Sequence, residues 1–135
     1  MTLHLTITTP DSVLIDDEVQ EITIPTTSGE VTILPGHAEL VSELSDGEVT
    51  VTRNGKQDHI ALIGGFLQVN PKEVTILANY ASHGKDLTLI EIEEAKKRAE
   101  KAMQEHASKE DFAIAEAAFK KAILELKVAR KQKAS

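Results

Sequence analysis

With 135 residues, the chain is long enough for one ordinary domain and a small appendage, but too short for two full-sized cores. Hydrophobic residues make up 41% and charged residues 27%, which excludes the composition of a disordered chain. There is no cysteine, so disulfides, thiolate nucleophiles and cysteine metal sites are excluded together.

The net charge of −7 is unevenly distributed along the chain. Residues 1–84 hold 12 acidic and 3 basic residues, whereas residues 85–135 hold 10 acidic and 12 basic ones. An acidic first part repels phosphate backbones, so nucleic acid is not expected as a partner. The N-terminus does not have the pattern of a signal peptide, and the longest apolar stretch, 60–69, is much shorter than the roughly 20 residues of a spanning helix. Membrane contact is therefore expected only through a partner protein.

The part of the chain before about Ala81 consists of short β-branched segments separated by turn residues, a pattern typical of an antiparallel β-sandwich. In the first segment Leu3, Leu5 and Ile7 alternate with polar residues, so one face of this strand is predicted to point inward. The strands follow one another closely, and parallel crossovers need about a dozen or more linking residues. This spacing excludes parallel crossovers, so we predict antiparallel pairing.

Two turn signals define the predicted hairpins of this sandwich. Asn54-Gly55 supplies the positive φ angles of a two-residue hairpin turn and is the strongest turn signal in the chain. Asn70-Pro71 begins the turn of a second hairpin, formed by residues 66–77.

Two other short motifs lie in the predicted strands. Gly64-Gly65 is not followed by the Lys-Ser/Thr of a phosphate-binding loop, and it predicts a β-bulge or a close approach of two backbones. The acidic cluster Asp16, Asp17 and Glu18 is predicted to be a solvated turn, which is favoured over a cation site.

The sequence pattern changes to a helical one at residue 88, after which there is no glycine or proline and alanine, glutamate and lysine dominate. Thr88 with Glu91 has the spacing of a capping box and predicts a helix start, and Ser108 with Asp111 is a weaker signal for a second helix. Apolar residues at steps of three and four then predict a seam between two antiparallel helices. The seam residues are Ile92, Ala95, Ala99, Ala102, Met103 and His106 in the first helix, and Phe112, Ala115, Phe119, Ala122, Leu126 and Ala129 in the second.

The predicted helical hairpin has a seam that is rich in alanine. A buried methyl group contributes little at roughly 25 cal/mol per Å² of buried apolar area, and helices of this length are marginal alone. We therefore predict a hairpin that can change its docking, although composition equally permits one that is permanently packed on the sandwich. The predicted domains are a β-sandwich of residues 1–84 and a helical hairpin of residues 85–135.

No catalytic or metal site is indicated. The five histidines, at positions His4, His37, His59, His83 and His106, include no two at a metal-ligand spacing on a recognisable element. There is no Gly-x-Ser-x-Gly elbow, and cysteine is absent. We expect neither an enzyme nor a bound metal or cofactor.

The segment 29–38 differs from ordinary sandwich sequence. Pro35-Gly36 predicts a tight turn with His37 at its exit, while Glu30 lies at the start of the preceding strand, so both polar groups are expected near one edge. Taken alone, the segment is better explained as a plain hairpin with a surface histidine.

The whole chain nevertheless resembles the epsilon subunits of bacterial F-type ATP synthases. Segment 29–38 resembles their Gly-Glu-…-Pro-Gly-His-Ala loop, and four further segments match in order and spacing. These are Leu44-Ser45-Asp46-Gly47-Glu48-Val49, Gly64-Gly65-Phe66-Leu67-Gln68-Val69, Val74-Thr75-Ile76-Leu77-Ala78 and Glu94-Ala95-Lys96-Lys97-Arg98-Ala99-Glu100. Each match is weak alone, but together they cover nearly the whole chain.

The resemblance implies a non-catalytic subunit of the central stalk, which is part of the rotor and couples proton or sodium translocation to ATP synthesis. The sandwich would bind the gamma subunit and rest on the membrane ring of c subunits, with Glu30 and His37 facing the ring. The complex would lie at the cytoplasmic face of the bacterial plasma membrane.

The resemblance further implies that the helical hairpin regulates the enzyme. It would fold down on the sandwich or extend along gamma towards the catalytic alpha/beta head and oppose ATP hydrolysis. Phe112, Phe119, Leu126 and Arg130 offer the apolar and cationic contacts for such a new surface.

Two positions depart from the family pattern. Glu39 replaces the proline that usually follows His-Ala, which alters the details expected for the ring contact. Some bacterial members bind ATP through an Ile/Leu-Asp-x-x-Arg-Ala motif, in which the Asp and Arg positions are Thr88 and Glu91 here. Because an anion replaces a phosphate-binding cation, no nucleotide site is assigned.

Two other functions are compatible with the residues alone. The chain could be a free-standing adaptor, in which the sandwich binds one protein and the hairpin another. A small hydrolase would require turnover by the isolated chain, which we do not expect. Co-purification with gamma and the catalytic head separates the rotor subunit from the adaptor.

Overall fold

Eight β-strands and two α-helices, joined by one short 3-10 helix, make up residues 1–134, which the computed structural model describes. The strands are β1 (Leu3–Thr8), β2 (Val13–Val19), β3 (Glu21–Thr26), β4 (Gly29–Ile33), β5 (Leu40–Glu43), β6 (Gly47–Arg53), β7 (Lys56–Val69) and β8 (Glu73–His83). The 3-10 helix spans Gly84–Asp86 and leads into α1 (Leu89–Gln104) and α2 (Lys109–Ala134). The predicted order, a β-sandwich followed by two helices, is confirmed.

The long strand β7 organises the sandwich. The hydrogen-bonded order is β2-β1-β8-β7-β6-β3-β4, and β5 also pairs with β7. Residues 56–62 of β7 pair with β6 and residues 66–69 pair with β5, while β8 follows the opposite edge of β7. Because β6 and β5 share one edge of β7 in succession, the sheet divides there into its two layers.

Gly64 and Gly65 lie where β7 passes from β6 to β5. The register of β7 on β8 is unchanged across this point, so the β-bulge we considered is not formed. Both glycines have positive φ angles, and a Cβ atom on Gly65 would lie 2.0 Å from the carbonyl oxygen of Leu77. The alternative prediction, a close approach of two backbones, is confirmed.

The expectation of antiparallel pairing alone is wrong for one pair, because β1 runs parallel to β8 from His4↔Glu73 to Thr8↔Leu77. The spacing argument holds only for strands that follow one another in the chain. The strands β2 to β7 lie between β1 and β8, and they supply far more than the dozen linking residues that a parallel pair needs.

Both predicted hairpin turns are present. Asn54 and Gly55 have φ angles of 52° and 77°, as a two-residue turn between β6 and β7 requires. In the turn between β7 and β8, the Asn70 side chain accepts hydrogen bonds from the backbone N–H groups of Lys72 and Glu73.

The main hydrophobic core is built from strand residues, together with Leu44 directly after β5. Its largest fully buried side chains come from both layers: Leu3, Leu5, Ile7, Ile22, Ile24, Ile33, Ile60, Leu62, Leu67 and Ile76. Neither helix contributes a residue to this cluster. The sandwich therefore closes its own core.

The acidic cluster lies within β2, so its prediction as a solvated turn is wrong. The His4 ring of β1 hydrogen-bonds to Asp16 through one nitrogen and to Glu18 through the other. Asp17 points to the other side of the strand and binds Arg53. A charged neighbour on each side explains why three acids fit a strand that forms the edge of the sheet.

The two helix starts are found where predicted, but their caps differ in strength. Thr88 occupies the N-cap position of α1 without a hydrogen bond from its side chain. At α2, the backbone N–H of Asp111 donates to Ser108 Oγ at 3.1 Å. The weaker sequence signal thus forms the observed side-chain cap.

The predicted seam between the helices is confirmed for most of its members. Ile92, Ala122, Leu126 and Ala129 form its core, and Leu87 and Leu89 pack against it. Ala99 and Ala115 are also buried, whereas Ala102 and His106 are exposed. His106 lies beyond the end of α1, where its ring bonds to the carbonyl oxygen of Met103.

Truncation after Ser82 is expected to leave a folded sandwich, because the helices contribute nothing to its hydrophobic core. Thermal unfolding of this fragment, followed by circular dichroism, should show one cooperative transition. A broad, non-cooperative melt would contradict the prediction that the sandwich folds without the hairpin.

The His4 contacts predict a pH dependence of stability. Hydrogen bonds to Glu18 and then to Asp16 raise the pKa of the His4 imidazole. A raised folded-state pKa stabilises the fold below the unfolded value of about 6.5, and this contribution disappears as pH rises through the folded value. The melting temperature of the native chain should therefore exceed that of His4→Gln by more at about pH 5.5 than at about pH 8.5. An equal difference at both pH values would contradict this prediction.

Candidate functional site

The two polar residues of segment 29–38 lie on the same edge of the sheet but are not in contact. Glu30 is exposed near the start of β4, the last strand in the sheet order, and pairs through its backbone with Pro25. His37 follows the other end of this strand and is partly buried. No hydrogen bond or ion pair joins Glu30 to His37.

The loop that carries His37 is anchored to the turn between β7 and β8. The backbone N–H of Gly36 donates to the carbonyl oxygen of Pro71 at 2.9 Å, and that of His37 donates to Leu34 at 3.1 Å. His37 Nδ1 lies 2.7 Å from the carbonyl oxygen of Ala38, so Nδ1 carries the proton of this bond. These bonds hold the loop beside a turn, with Glu39 exposed after it.

An apolar patch covers part of the outer face of the sheet formed by β5, β7 and β8. We call Val41, Phe66 and Leu77 the outer patch; they are 74%, 60% and 55% exposed. Phe66 and Leu77 are directly paired across the ladder, and Val41 lies beside Gln68 of β7. An exposed cluster of large apolar side chains is typical of an interaction surface.

Sequence reasoning missed the outer patch, although a signal for it was present. In a half-buried strand, apolar and polar residues alternate. Phe66 is followed by Leu67, and Ile76 by Leu77, so each strand has two large apolar residues in succession. Leu67 and Ile76 are fully buried, and their neighbours must therefore point outward.

The four hairpin residues predicted to meet a partner are engaged between the helices here. Leu126 is 5% exposed in the seam, and Phe112 and Phe119 are partly buried on the same side of α2. Arg130 is exposed and lies 3.6 Å from a carboxylate oxygen of Glu93 of α1. The structure thus shows a closed hairpin, in which these side chains connect its two helices.

A second face of α2 rests on the sandwich, and Tyr80 of β8 is central to it. The Tyr80 hydroxyl donates to a carboxylate oxygen of Glu125 at 2.7 Å, and Lys121 Nζ lies 3.9 Å from the centre of the ring. Burial, and then Glu125, raise the pKa of the Tyr80 hydroxyl to about 12. Lys121 and Glu125 are four residues apart, so they lie on one helical face.

A carboxylate of β6 meets α2 six residues further along, at Lys131. Glu48 is largely buried, and one of its oxygens lies 3.3 Å from Lys131 Nζ and 3.2 Å from His59 Nδ1. The other oxygen, Oε2, is buried without a hydrogen-bond partner in the part of the chain that the structure describes. This contact therefore leaves one oxygen of a buried carboxylate without a hydrogen bond, which costs folding free energy.

A further close contact between α2 and the sandwich lies beside the 3-10 helix. Val128 is fully buried there, and Gln132 Oε1 accepts a hydrogen bond of 2.7 Å from the backbone N–H of His59. A Cβ atom on Gly84 would lie 2.8 Å from the Gln132 Cβ and 2.9 Å from the His59 carbonyl oxygen. The 3-10 helix, α2 and β7 meet at this point, and they leave no space for a side chain at position 84.

Towards its N-terminal end, α2 separates from the sandwich. A cleft of about 520 Å³ lies between them, and its apolar lining comes from Ile63 and from Ala113, Ala117, Ala118 and Leu124 of α2. Among the described residues, the side-chain hydrogen bonds and ion pairs from the two helices to the sandwich come from α2. The hairpin is thus held on the sandwich by the second half of α2.

The structure shows no metal site in the part of the chain that it describes. Among residues 1–134, no cluster of three or more histidine or acidic side chains could hold a metal ion. Thr88 and Glu91 are exposed at the start of α1. No helix in the described part of the chain has the length and apolar character needed to cross a membrane.

Comparisons with protein-family models match both parts of the chain. Residues 2–84 match the beta-sandwich domain of the ATP synthase delta/epsilon chain, and residues 93–130 match the long alpha-helix domain of the same chain.

Curated relatives are similar over most of their length. The ATP synthase epsilon chain of Herpetosiphon aurantiacus is 38% identical over 130 residues, which cover 96% of each chain. The chloroplastic epsilon chain of Pinus koraiensis is 37% identical over 90% of this chain and 89% of its own.

Among solved structures, a chain of the Euglena gracilis mitochondrial ATP synthase, from a complex described as OSCP/F1/c-ring, superposes with a TM-score of 0.68 at 26% identity. The match covers 98% of this chain and 80% of that one. A chain of the central stalk and c-ring of the Tetrahymena thermophila mitochondrial ATP synthase shares the fold, with a TM-score of 0.61 at 14% identity over 96% of this chain and 97% of that one.

Proposed function

Because the chain belongs to the family of ATP synthase delta/epsilon chains, we propose that it is a non-catalytic subunit of the central stalk of an F-type ATP synthase. In this role it turns with the rotor, which couples proton or sodium translocation to ATP synthesis, and the catalytic sites lie on other chains. The observation that carries this proposal is the match of both the sandwich and the helical part to the two domains of one family.

The sandwich is proposed to hold the subunit in the stalk by two surfaces. The outer patch is an exposed apolar surface of the sandwich, and we assign it to the gamma subunit. The loop with His37, together with Glu30 on the same sheet edge, faces the polar loops of the c-subunit ring. The loop with His37 is held by hydrogen bonds to backbone carbonyl oxygens, which suits such a contact because little loop freedom is lost on binding.

The hairpin is proposed to act as a brake on ATP hydrolysis. The structure has the hairpin folded on the sandwich, and in the braking state it extends along gamma towards the alpha/beta head. Opening would release Phe112, Phe119 and Leu126 from the seam and Arg130 from Glu93 for contacts with the new surface. Alanine at several seam positions keeps the cost of separating the helices low.

No nucleotide is assigned to this subunit. Thr88 and Glu91 stand where some family members have the aspartate and arginine of an ATP-binding motif, and an anion at this point repels phosphate. The proposed location is the cytoplasmic face of the bacterial plasma membrane, where the chain is held through the c-subunit ring.

Replacing both Glu30 and His37 by alanine is expected to impair ATP-driven proton pumping while leaving the fold intact. Glu30 is exposed and His37 is only partly buried, and substitutions at the protein surface usually change stability by less than about 0.5 kcal/mol, so the melting temperature of the isolated chain should hardly change. Proton pumping is measured in membrane vesicles that carry the assembled enzyme. The double variant Glu105→Ala/His106→Ala changes an exposed pair of the same residue types in the turn between the helices and serves as the control. A large loss of thermal stability with normal pumping would show that Glu30 and His37 have only a structural role.

Deleting residues 85–135 is expected to leave assembly intact and to raise the rate of ATP hydrolysis. The sandwich retains its core and both proposed contact surfaces, so it still binds the stalk, but the brake is absent. Co-purification with gamma and the hydrolysis rate of the complex are measured together. Normal assembly with an unchanged rate would refute the brake, and failure of the full-length chain to co-purify with gamma would favour the free-standing adaptor.

A further inference from the structure

The contact at Gly84 indicates how the folded hairpin is held. We propose that Val128 and Gln132 of α2, seated on Gly84 and on the backbone of His59, form a clasp that decides whether the hairpin is docked or released. The regulatory meaning of the clasp rests on the proposed brake, whereas its structural role does not.

The hydrogen bond of the clasp, between His59 and Gln132, lies where the pairing of β7 with β8 ends. The last residue of β8 that pairs with β7 is His83, opposite Ile60, and the chain then turns into the 3-10 helix. The backbone N–H of His59, one residue beyond this pair, donates its hydrogen bond to Gln132 Oε1 of α2. A buried N–H group must find a partner, so this bond makes the docked position specific for α2 in one register.

The packing of the clasp requires that residue 84 has no Cβ atom. Gly84 is buried, and a methyl group at this position would meet Gln132 and the His59 backbone within 3.0 Å and Val128 at 3.2 Å. The φ angle of Gly84 is not in the left-handed region, so the backbone itself accepts alanine. The glycine is therefore required for the close approach of α2 and of the His59 backbone, and not for the φ angle of the connecting segment.

The clasp is also the part of the docking surface with the least freedom to adjust. Lys121 and Lys131 reach the sandwich with long, partly exposed side chains that can follow small displacements of α2. Val128 is fully buried and the Gly84 contact is between atoms close to the backbone, so a shift of α2 by about one methyl radius breaks it. Side-chain size at position 84 thus sets the balance between docked and released hairpin.

The test uses full-length chains labelled with a pair of fluorophores. The native chain has no cysteine, so the exposed residues Lys72 and Ala107 can be replaced by cysteine for labelling. Single-molecule energy transfer between the two labels then gives the fraction of chains with the hairpin in its docked position. Gly84→Ala is expected to lower the docking equilibrium constant on the order of 10- to 100-fold, the range for a methyl group forced into a filled contact.

Val128→Ala tests the same clasp from the hairpin side, where it cannot disturb the sandwich itself. It is compared with Ile123→Ala, which shortens an aliphatic residue of the same helix that is 44% exposed and lies away from the sandwich. We expect release of the hairpin in Val128→Ala and docking as in the native chain in Ile123→Ala.

Equal docking in Val128→Ala and Ile123→Ala would overturn the clasp, as would native docking in a folded Gly84→Ala chain. If instead the clasp variants release the hairpin in this assay but leave ATP hydrolysis by the assembled enzyme unchanged, the clasp is supported and the proposed brake is contradicted.

Discussion

The close pairing of β7 with β8 is the interaction on which the remaining structure depends. At Gly65 the two backbones approach so closely that no side chain fits between them, and the register nevertheless continues on both sides. This allows one strand to serve both layers of the sandwich, with β6 on its first half and β5 on its second. The same strand carries His59, which receives α2, and Phe66, which belongs to the outer patch. The contact of the sandwich with α2 and the outer patch thus both depend on the pairing of β7 with β8.

Local signals in the sequence predicted the local structure well. Asn54-Gly55 and Asn70-Pro71 each determine a turn through their own backbone and side-chain geometry, and the spacing of Ile92 and Leu126 identifies the seam between the helices. The parallel pairing of β1 with β8 could not be read in this way, because it joins the two ends of the sandwich and depends on the path of every strand between them. The acidic residues of β2 were misplaced for a related reason, since His4 and Arg53, which accommodate them, lie on other strands.

The candidate site was less predictable than the fold because most of the contacts that hold α2 on the sandwich are polar. The face of α2 that rests on the sandwich includes Lys121, Glu125, Lys131 and Gln132, and such residues at helical spacing are typical of a solvent-exposed face. Their partners, a tyrosine hydroxyl, a carboxylate and a backbone N–H, leave no hydrophobic periodicity for a sequence to show. Gly84 gave no signal either, because its role depends on close contacts with Val128 and Gln132, which lie more than 40 residues further along the chain.

The position of the close contact between Gly84 and α2 has a mechanical consequence. The contact lies beside the segment where the chain leaves the sandwich, whereas the turn between the helices lies at the far end of α1, which has 16 residues and a length of about 24 Å. The segment that joins the hairpin to the sandwich and the Gly84 contact that holds α2 are therefore close together, at the same end of the hairpin. A lateral force on the turn between the helices acts far from the contacts that α2 makes with the sandwich, so a small force there exerts a large torque on those contacts.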